Sequence, residues 1–182
     1  NIAQVYFDLE PRKITISELN DAYPGMVDAL TQHEGVGFVV GYEDNGEPAV
    51  FGKEGARNLH TGVVVGEDPL IPYGDPDFRA KQVRRIADYP HAGDLMVNST
   101  LFPDGTVAAM EELIGNHGGL GGEQTDAFIF HPADLEIPQT SNSADVFSIL
   151  NARRELTSLP EALKPIAQPK QEVSAWSPTT LA

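Results

Sequence analysis

The side chains best suited to chemistry in this sequence are its five histidines, because imidazole both binds metal ions and transfers protons near neutral pH. They are His33, His60, His91, His117 and His131. His33 lies near the end of a predicted helix, where the helix dipole favours a cation. His60 opens a predicted strand, and His91 and His131 lie where predicted strands begin and end. Ordinary structural roles are therefore predicted for these four histidines.

His117 differs from the others because it lies in a glycine-rich run from Gly115 to Gly122. Glycines let the backbone approach a ligand closely, and they leave a neighbouring imidazole unshielded. His117 is therefore the candidate metal or substrate ligand of the chain. The alternative is that the glycines only form tight turns, and the residues alone leave both interpretations open.

The sequence lacks the motifs of several other kinds of catalysis. It has no cysteine, so disulfides, thiolate zinc sites and cysteine nucleophiles are excluded. It has no Gly-x-Ser-x-Gly, no His-Glu-x-x-His, no Gly-x-Gly-x-x-Gly that opens a helix, and no Walker-type phosphate loop. Serine-hydrolase, zincin, dinucleotide-binding and P-loop functions therefore lack support, and no catalytic residue is predicted in this chain.

Several runs have the alternation or β-branched content of strands. Residues 36–43 and 47–52 predict a hairpin around Asp44-Asn45-Gly46, whose Asn-Gly pair supplies the positive φ angles of a tight turn. Residues 2–7, 60–65 and 93–99 predict further strands. The apolar run 127–130 predicts a buried strand that ends at His131.

Helices are predicted between these strands. Ser17 can cap a short helix that reaches Asn20, and Pro24 suits the first position of a second helix. Residues 77–89 and a final segment capped by Ser143 also show helical spacing. Propensity favours a helix over a second hairpin strand in residues 107–113. The predicted class is α/β or α+β, with a mixed sheet that includes one antiparallel hairpin.

Composition and charge restrict the remaining possibilities. The 182 residues suit one domain, predicted over residues 1–158, followed by a proline-rich tail or linker over residues 159–182 that contains Trp176. With 27 acidic and 12 basic residues the net charge is −15, which would repel a phosphate backbone, so no nucleic-acid partner is predicted. The longest apolar runs fall short of the ~20 residues that span a bilayer, so a soluble segment is predicted.

Three motifs together resemble the closing segment of type I phosphodiesterases and nucleotide pyrophosphatases of the alkaline phosphatase superfamily. These motifs are Gly93-Asp94-Leu95-Met96-Val97, Gly115-Asn116-His117-Gly118 and Phe128-Ile129-Phe130-His131-Pro132. A wider likeness over most of residues 1–156 is to bacterial, membrane-linked members of that superfamily. The resemblance implies an alkaline-phosphatase-like C-terminal fragment in which His117 binds one of two zinc ions.

The resemblance also implies that most of the catalytic site lies elsewhere. The family's Thr or Ser nucleophile, its Asp-His pair and its other aspartate ligands lie upstream of this segment. A single histidine cannot complete the usual four-coordinate zinc shell. We therefore expect a chain cut from a longer protein, inactive alone, whose partners are the N-terminal catalytic part of the same protein and a phosphate-ester substrate. The alternative is a non-catalytic α/β binding or regulatory module that binds a protein through its acidic face or Trp176.

Overall fold

The computed structural model describes residues 1–112 and 118–156. The chain divides into two compact units, Asn1–Phe128 and the residues from Ile129 onward. The first unit contains a six-stranded sheet, and the described part of the second unit, residues 129–156, contains one long helix. No helix among the described residues is long and apolar enough to cross a membrane.

The sheet of the first unit is antiparallel at every strand pair. Its order is β1-β6-β2-β3-β4-β5, so β1 and β5 are its two edges. The strands are β1 Ile2–Val5, β2 Val36–Tyr42, β3 Pro48–Phe51, β4 Gly55–Asn58, β5 Val64–Gly66 and β6 Leu95–Ser99. Helices together with this sheet make an α+β fold, which confirms the predicted class. The predicted mixed sheet is wrong, because the only parallel pairing is an isolated bridge between Thr15 and Tyr42 among the described residues.

Helices cover the two faces of the sheet. They are α1 Ile16–Ala22, α2 Met26–Gln32 and α3 Pro76–Ala87. A further helix, α4 Ser143–Leu156, belongs to the second unit. Asp75 caps α3 by accepting the backbone N–H groups of Asp77 and Phe78, and Pro76 occupies the first turn, where no N–H is needed. The helix predicted over residues 77–89 is thus confirmed, with bounds shifted by one to two residues.

Alternating side chains of β2 and β6 build two cores. Phe38, Val40 and Met96 face α3, whereas Val39 and Val97 face the opposite side with α1 and α2. This alternation is the period of two that a strand imposes when both of its faces are covered. β6 lies between β1 and β2, and all five of its side chains are buried. The segment that begins with Gly93-Asp94 therefore runs through the interior of the sheet.

The predicted hairpin between β2 and β3 is confirmed, although its turn differs in detail. Within this turn only Gly46 has a positive φ angle, of 80°. No residue other than glycine has a positive φ angle among the described residues. Glu43 N–H binds Glu47 O, and Gly46 N–H binds Glu43 O. The loop is therefore longer than a two-residue turn, and it places only glycine in the left-handed region.

Several predicted boundaries are wrong near the first two helices and β5. Thr15 rather than Ser17 caps α1, in a capping box with Glu18. The helix after Pro24 begins only at Met26, because Gly25 adopts a left-handed conformation first. β5 covers Val64–Gly66, and a turn that starts at Asn58 occupies the beginning of the predicted strand 60–65.

Two further predictions are wrong at the end of the first unit. The described residues 107–112 form no helix, and Val107 instead makes an antiparallel bridge with Leu101 after the turn at residues 103–105. The run 127–130 is not a buried strand, since Phe128 and Phe130 are 89% and 97% exposed. The apolar sequence alone could not reveal that no partner strand lies beside it within the described residues. The predicted tail from residue 159 lies outside the described residues.

Arg57 on β4 pairs with two carboxylates, one buried and one exposed in the first turn of α3. Arg57 on β4 donates to Asp68 at 2.6 Å and also pairs with Asp77 in the first turn of α3. The side chains of Arg57 and Asp68 are both less than 10% exposed. Removing Asp68 would leave the buried Arg57 charge without its buried partner, so this pair holds the segment after β5 against β4.

Candidate functional site

The candidate site is built on residues 118–122, which we call the glycine loop. Its four glycines, Gly118, Gly119, Gly121 and Gly122, have φ angles from +61° to +106°. Residues that carry a Cβ atom are strained at these positive φ angles, so the conformation of the loop requires glycine. His117, the predicted metal ligand, immediately precedes the loop and lies outside the described residues.

The glycine loop packs directly against the start of the chain. A Cβ atom at Gly119 would lie closer than 3.0 Å to three backbone atoms of Asn1. A Cβ atom at Gly118 would lie 2.9 Å from the side chain of Ile2 on β1. Gly119 is therefore required by close approach of the Asn1 backbone as well as by its φ angle, whereas Gly118 meets only a side chain.

The side chain of Asn98 binds the glycine loop from the end of β6. Its Oδ1 accepts the backbone N–H of Leu120 at 2.8 Å, and its Nδ2 donates to the backbone oxygens of Ser99 and Leu120 at 2.9 and 3.4 Å. Asn98 is 1% exposed. Its amide thus satisfies the N–H of Leu120, whose carbonyl oxygen also accepts from the side chain of Gln124 at 3.0 Å.

An apolar cavity of about 200 Å³ adjoins the glycine loop. Phe38, Met96 and Ile86 contribute its apolar walls, and Gly118 and Gly119 border it. The polar side chains that reach it are the amides of Gln4, Gln82 and Asn98, and none of its lining residues is charged. The cavity can accommodate an apolar group about the size of one ring, since ~150 Å³ suffices for benzene.

Asp94, at the other end of β6, has a structural role in this arrangement. Its carboxylate accepts the backbone N–H of Phe7 at 2.8 Å and of Ile14 at 3.2 Å. The preceding Gly93 is closely packed, because a Cβ atom there would lie 2.8 Å from Val5 O. The Gly-Asp pair is therefore needed to hold the chain on both sides of residues 8–13 against β6.

Ionisable groups surround Asp94. Lys13 donates to Gly93 O at 3.2 Å, and burial lowers the pKa of its ammonium while Asp94 opposes that shift. Burial, followed by the negative charge of Asp94, raises the pKa of Tyr42 to about 12. Tyr42 donates its hydroxyl hydrogen to Ala87 O at the end of α3. These contacts are those of a packed structural group, and Asp94 has no second carboxylate or histidine among its hydrogen-bond partners in the described residues.

The described contacts of the four other histidines do not involve the glycine loop. His33 ends α2, and its Nδ1 accepts the N–H of Gly35 at 3.0 Å. His60 and His91 are exposed, and His131, in the second unit, contacts the neighbouring Pro132 O. No three His, Cys, Asp or Glu side chains within residues 1–112 and 118–156 are grouped so that they could hold a metal ion.

The described neighbours of the glycine loop do not by themselves fit a zinc shell. Asn1, Ile2 and Asn98 are not among the usual zinc ligands, which are cysteine, histidine, aspartate and glutamate. A zinc ion bound through His117 would need its other ligands from outside these residues.

Sequence reasoning missed Asn98 and the structural role of Asp94. The available signal was a polar residue inside an apolar strand, since Asn98 follows Leu95-Met96-Val97. A fully buried amide in such a position must find hydrogen-bond partners, and here they belong to a loop 22 residues away. Neither a known protein family, nor a curated protein, nor a solved structure matches this chain.

Proposed function

We propose that this chain is the C-terminal portion of a metal-dependent phosphoric ester hydrolase of the phosphodiesterase or nucleotide pyrophosphatase type. In this proposal it contributes His117 as a metal ligand, lacks the nucleophile and is inactive alone. The observation that carries the proposal is the glycine loop. A run of four left-handed glycines that directly follows a histidine is bound by a buried amide at the end of an interior strand.

The chemistry of such a site explains why a histidine belongs beside this loop. A neutral imidazole binds zinc through one ring nitrogen, and this binding requires a fixed orientation of the ring. Glycines on one side of the histidine leave space for a ligand, and their fixed packing against Asn1 and Ile2 limits how the loop can move. When bound, a pair of zinc ions polarises a phosphate ester and stabilises the attacking and leaving oxygens.

The remaining ligands and the nucleophile would come from the N-terminal part of the same protein. In keeping with the resemblance, that protein would be a bacterial, membrane-linked member of the alkaline phosphatase superfamily. The net charge of −15 is compatible with an anionic ester substrate only if the metal ions dominate the local field. The proposal therefore requires a loaded metal site before substrate binds.

The test is the His117→Ala variant of the intact protein, compared with His60→Ala. His60 is exposed and lies in the turn before β5. We expect His117→Ala to weaken zinc binding by at least about 100-fold and to abolish hydrolysis of a bis-aryl phosphate, because a metal ligand is lost. His60→Ala should leave both unchanged. Zinc affinity and turnover of His117→Ala equal to those of the unaltered protein would refute the ligand assignment.

A second candidate function is a non-catalytic binding module, which the apolar cavity beside the glycine loop favours. A cavity with apolar walls and a few amides has the composition of a small-molecule site. The two functions predict different upstream sequence. A hydrolase needs an Asp, a Thr or Ser and an Asp-His pair before Asn1, and a reading frame without them would leave the binding module as the better interpretation.

A further inference from the structure

We propose that the apolar cavity beside the glycine loop binds a neutral ligand that consists of one ring and a hydrogen-bond acceptor such as a carbonyl oxygen. The proposal rests on the second candidate function, the binding module, and does not depend on the hydrolase. The cavity measures about 200 Å³, and its described lining residues all belong to the first unit. Because ~150 Å³ already suffices for benzene, the cavity accommodates one ring with a small substituent.

The floor of the cavity is one face of the sheet, where β1 and β2 pair with the two sides of β6. Side chains at alternate positions of a strand share a face, and the strand register brings six of them together in two rows. These residues are Ile2, Asn98 and Phe38 in one row and Gln4, Met96 and Val40 in the next. The members from β2 and β6 are each no more than 2% exposed, whereas Gln4 on the edge strand is exposed. The cavity is therefore deepest at the centre of the sheet and opens toward β1.

Helix α3 and the glycine loop form the other sides of the cavity. Val83 of α3 is 7% exposed, whereas Ile86, one turn later, is 41% exposed and so lies at the mouth. Gly118 and Gly119 border the cavity without side chains that could fill it. Protein interiors are closely packed, and unfilled space costs stability because its lining atoms lack contacts. A bound ring would supply those contacts.

The charges around the cavity favour a neutral ligand. Its described lining contains neither a cation nor a carboxylate, and burying an unpaired charge is costly. The net charge of −15 further disfavours an anion. Arg79 on α3 donates to Gln82 Oε1 and to Tyr73 O, each at 2.8 Å, so these two nitrogens of its guanidinium already have acceptors. A charged ligand would therefore lack a counterion within the described lining.

The amides at the cavity select a ligand that accepts a hydrogen bond. Gln4 Oε1 accepts the backbone N–H of Gly93 at 2.6 Å, and since a backbone N–H can only donate, this contact fixes which end of the amide is the oxygen. The Asn98 amide is occupied at both ends by backbone groups of Leu120 and Ser99. Gln4 Nε2 has no hydrogen-bond partner within the described residues. It is therefore the donor for an oxygen of the ligand.

The experiment measures the binding of three compounds of matched size to the Asn1–Ala182 chain. Acetophenone carries a ring and a carbonyl oxygen, cumene has a methyl group in place of that oxygen, and benzoate has a charged oxygen in place of the methyl group of acetophenone. Binding is followed by NMR through the methyl groups of two methionines. Met96 lines the cavity, whereas Met26 packs against the core on the opposite face of the sheet and reports non-specific binding.

We expect acetophenone to shift the Met96 methyl signal saturably, with a Kd below about 1 mM, and to leave the Met26 signal unchanged. Benzoate should bind at least about 10-fold more weakly than acetophenone, because its charge would be buried without a partner. The ratio of acetophenone affinity to cumene affinity then measures the contribution of the hydrogen bond from Gln4.

Gln4→Glu tests that hydrogen bond. Glutamate keeps an oxygen for the N–H of Gly93 but has no N–H group for the ligand. The ratio of acetophenone affinity to cumene affinity should therefore fall by about 3–10-fold. Gln32→Glu is the matched control, because it makes the same charge change on α2, where Gln32 Nε2 donates to Lys53 O. It should leave the ratio unchanged.

Ile86→Trp tests the cavity itself and keeps the proposal testable if Gln4→Glu does not fold. The larger indole at the mouth should weaken the binding of both acetophenone and cumene by at least about 10-fold, since it occupies the space that the ring needs. Ile71→Trp is its control, because Ile71 is 62% exposed and is not among the lining residues of the cavity. It should leave both affinities unchanged.

Failure of the ligand class and failure of the binding module give different results. Equal binding of benzoate and acetophenone, or an unchanged affinity ratio in Gln4→Glu, would overturn the ligand class while the cavity still bound a ring. A Met96 signal that responds to none of the three compounds, or that moves together with the Met26 signal, would overturn the binding site and the second candidate function with it. The His117→Ala test of the hydrolase is independent of all these results.

Discussion

The two ends of β6 each carry a buried polar side chain that binds backbone groups of distant segments, yet they differ in charge and in what they hold. Asp94 is 7% exposed and accepts two N–H groups near the beginning of the chain. Asn98 is 1% exposed and binds the glycine loop through both its oxygen and its nitrogen. The same strand thus uses a carboxylate at one end and an amide at the other.

The surroundings of these two residues differ accordingly. The Asp94 end contains Lys13, Tyr42 and the helix cap formed by Thr15 and Glu18, and its segments are fixed by side chains as well as by backbone bonds. The glycine loop has a single apolar side chain, that of Leu120. We therefore expect the Asp94 end to contribute more to the stability of the fold, and the Asn98 end to fix the conformation of one loop. Substitutions at the two ends should separate these effects.

The largest effect is expected from Asp94→Ala. It leaves the N–H groups of Phe7 and Ile14 without their acceptor, and each unsatisfied buried donor costs about 1–3 kcal/mol. The free energy of unfolding should therefore fall by about 2–5 kcal/mol, measured by urea denaturation of the Asn1–Ala182 chain. Asp94→Asn, which retains one acceptor oxygen, should lose roughly half as much.

Asp8→Ala serves as the control, because Asp8 is exposed and surface substitutions usually change stability by less than about 0.5 kcal/mol. If Asp94→Ala were as stable as Asp8→Ala, the Asp94 end would not be the structural one, and the distinction between the two ends of β6 would be lost.

An intermediate effect is expected from Gly119→Ala in the glycine loop, compared with Gly46→Ala in the β2–β3 hairpin. Their φ angles, +79° and +80°, are nearly equal, but a Cβ at Gly46 meets nothing within 4 Å whereas one at Gly119 meets the Asn1 backbone. Gly46→Ala should cost about 1 kcal/mol from the left-handed φ alone. Gly119→Ala should cost about 1–2 kcal/mol more, since the backbones must separate.

Urea denaturation measures the difference between the two alanine variants. Equal losses would mean that close packing against Asn1 contributes nothing, and that the glycines of the loop are needed only for their φ angles. In that case packing would hold the glycine loop even more weakly, relative to the Asp94 end, than the structure indicates.

The difference between the two ends also explains which features could be predicted from sequence. The β2–β3 hairpin, α3 and the strand after Gly93 follow from local patterns, because turn residues, caps and apolar periodicity act within a few residues. The antiparallel order of the sheet and the short β4 depend on pairing between distant segments. No local pattern specifies that pairing, and the prediction of a mixed sheet failed for this reason.

The candidate site shows the same division. Glycines at 118, 119, 121 and 122 indicated a special loop, and the structure gives each of them a positive φ. The binding of Leu120 by Asn98 connects residues 22 positions apart, so it could not be predicted from spacing. Residues 127–130 carry an apolar pattern typical of a buried strand but are exposed, because burial depends on a partner that the pattern does not specify.

The smallest expected effect is a pH dependence at the Asp94 end. Hydrogen bonds from Arg12 and then from the backbone N–H of Thr15 lower the pKa of Glu18 from 4.5 to about 2. Because the folded-state pKa lies below the unfolded value, the Glu18 carboxylate contributes stability that is fully present above about pH 4.5 and is lost as pH falls toward 2. The thermal midpoint of the unaltered chain should therefore decrease across this window more than that of Glu18→Gln.

The Glu18 side chain is partly exposed, so the contribution is small and should decrease further when salt is added. Glu34→Gln, which removes an exposed carboxylate between α2 and β2, should keep the pH dependence of the unaltered chain. If Glu18→Gln also kept it, the capping box of α1 would not respond to pH. The stability of the Asp94 end would then respond to pH as little as that of the uncharged Asn98 end.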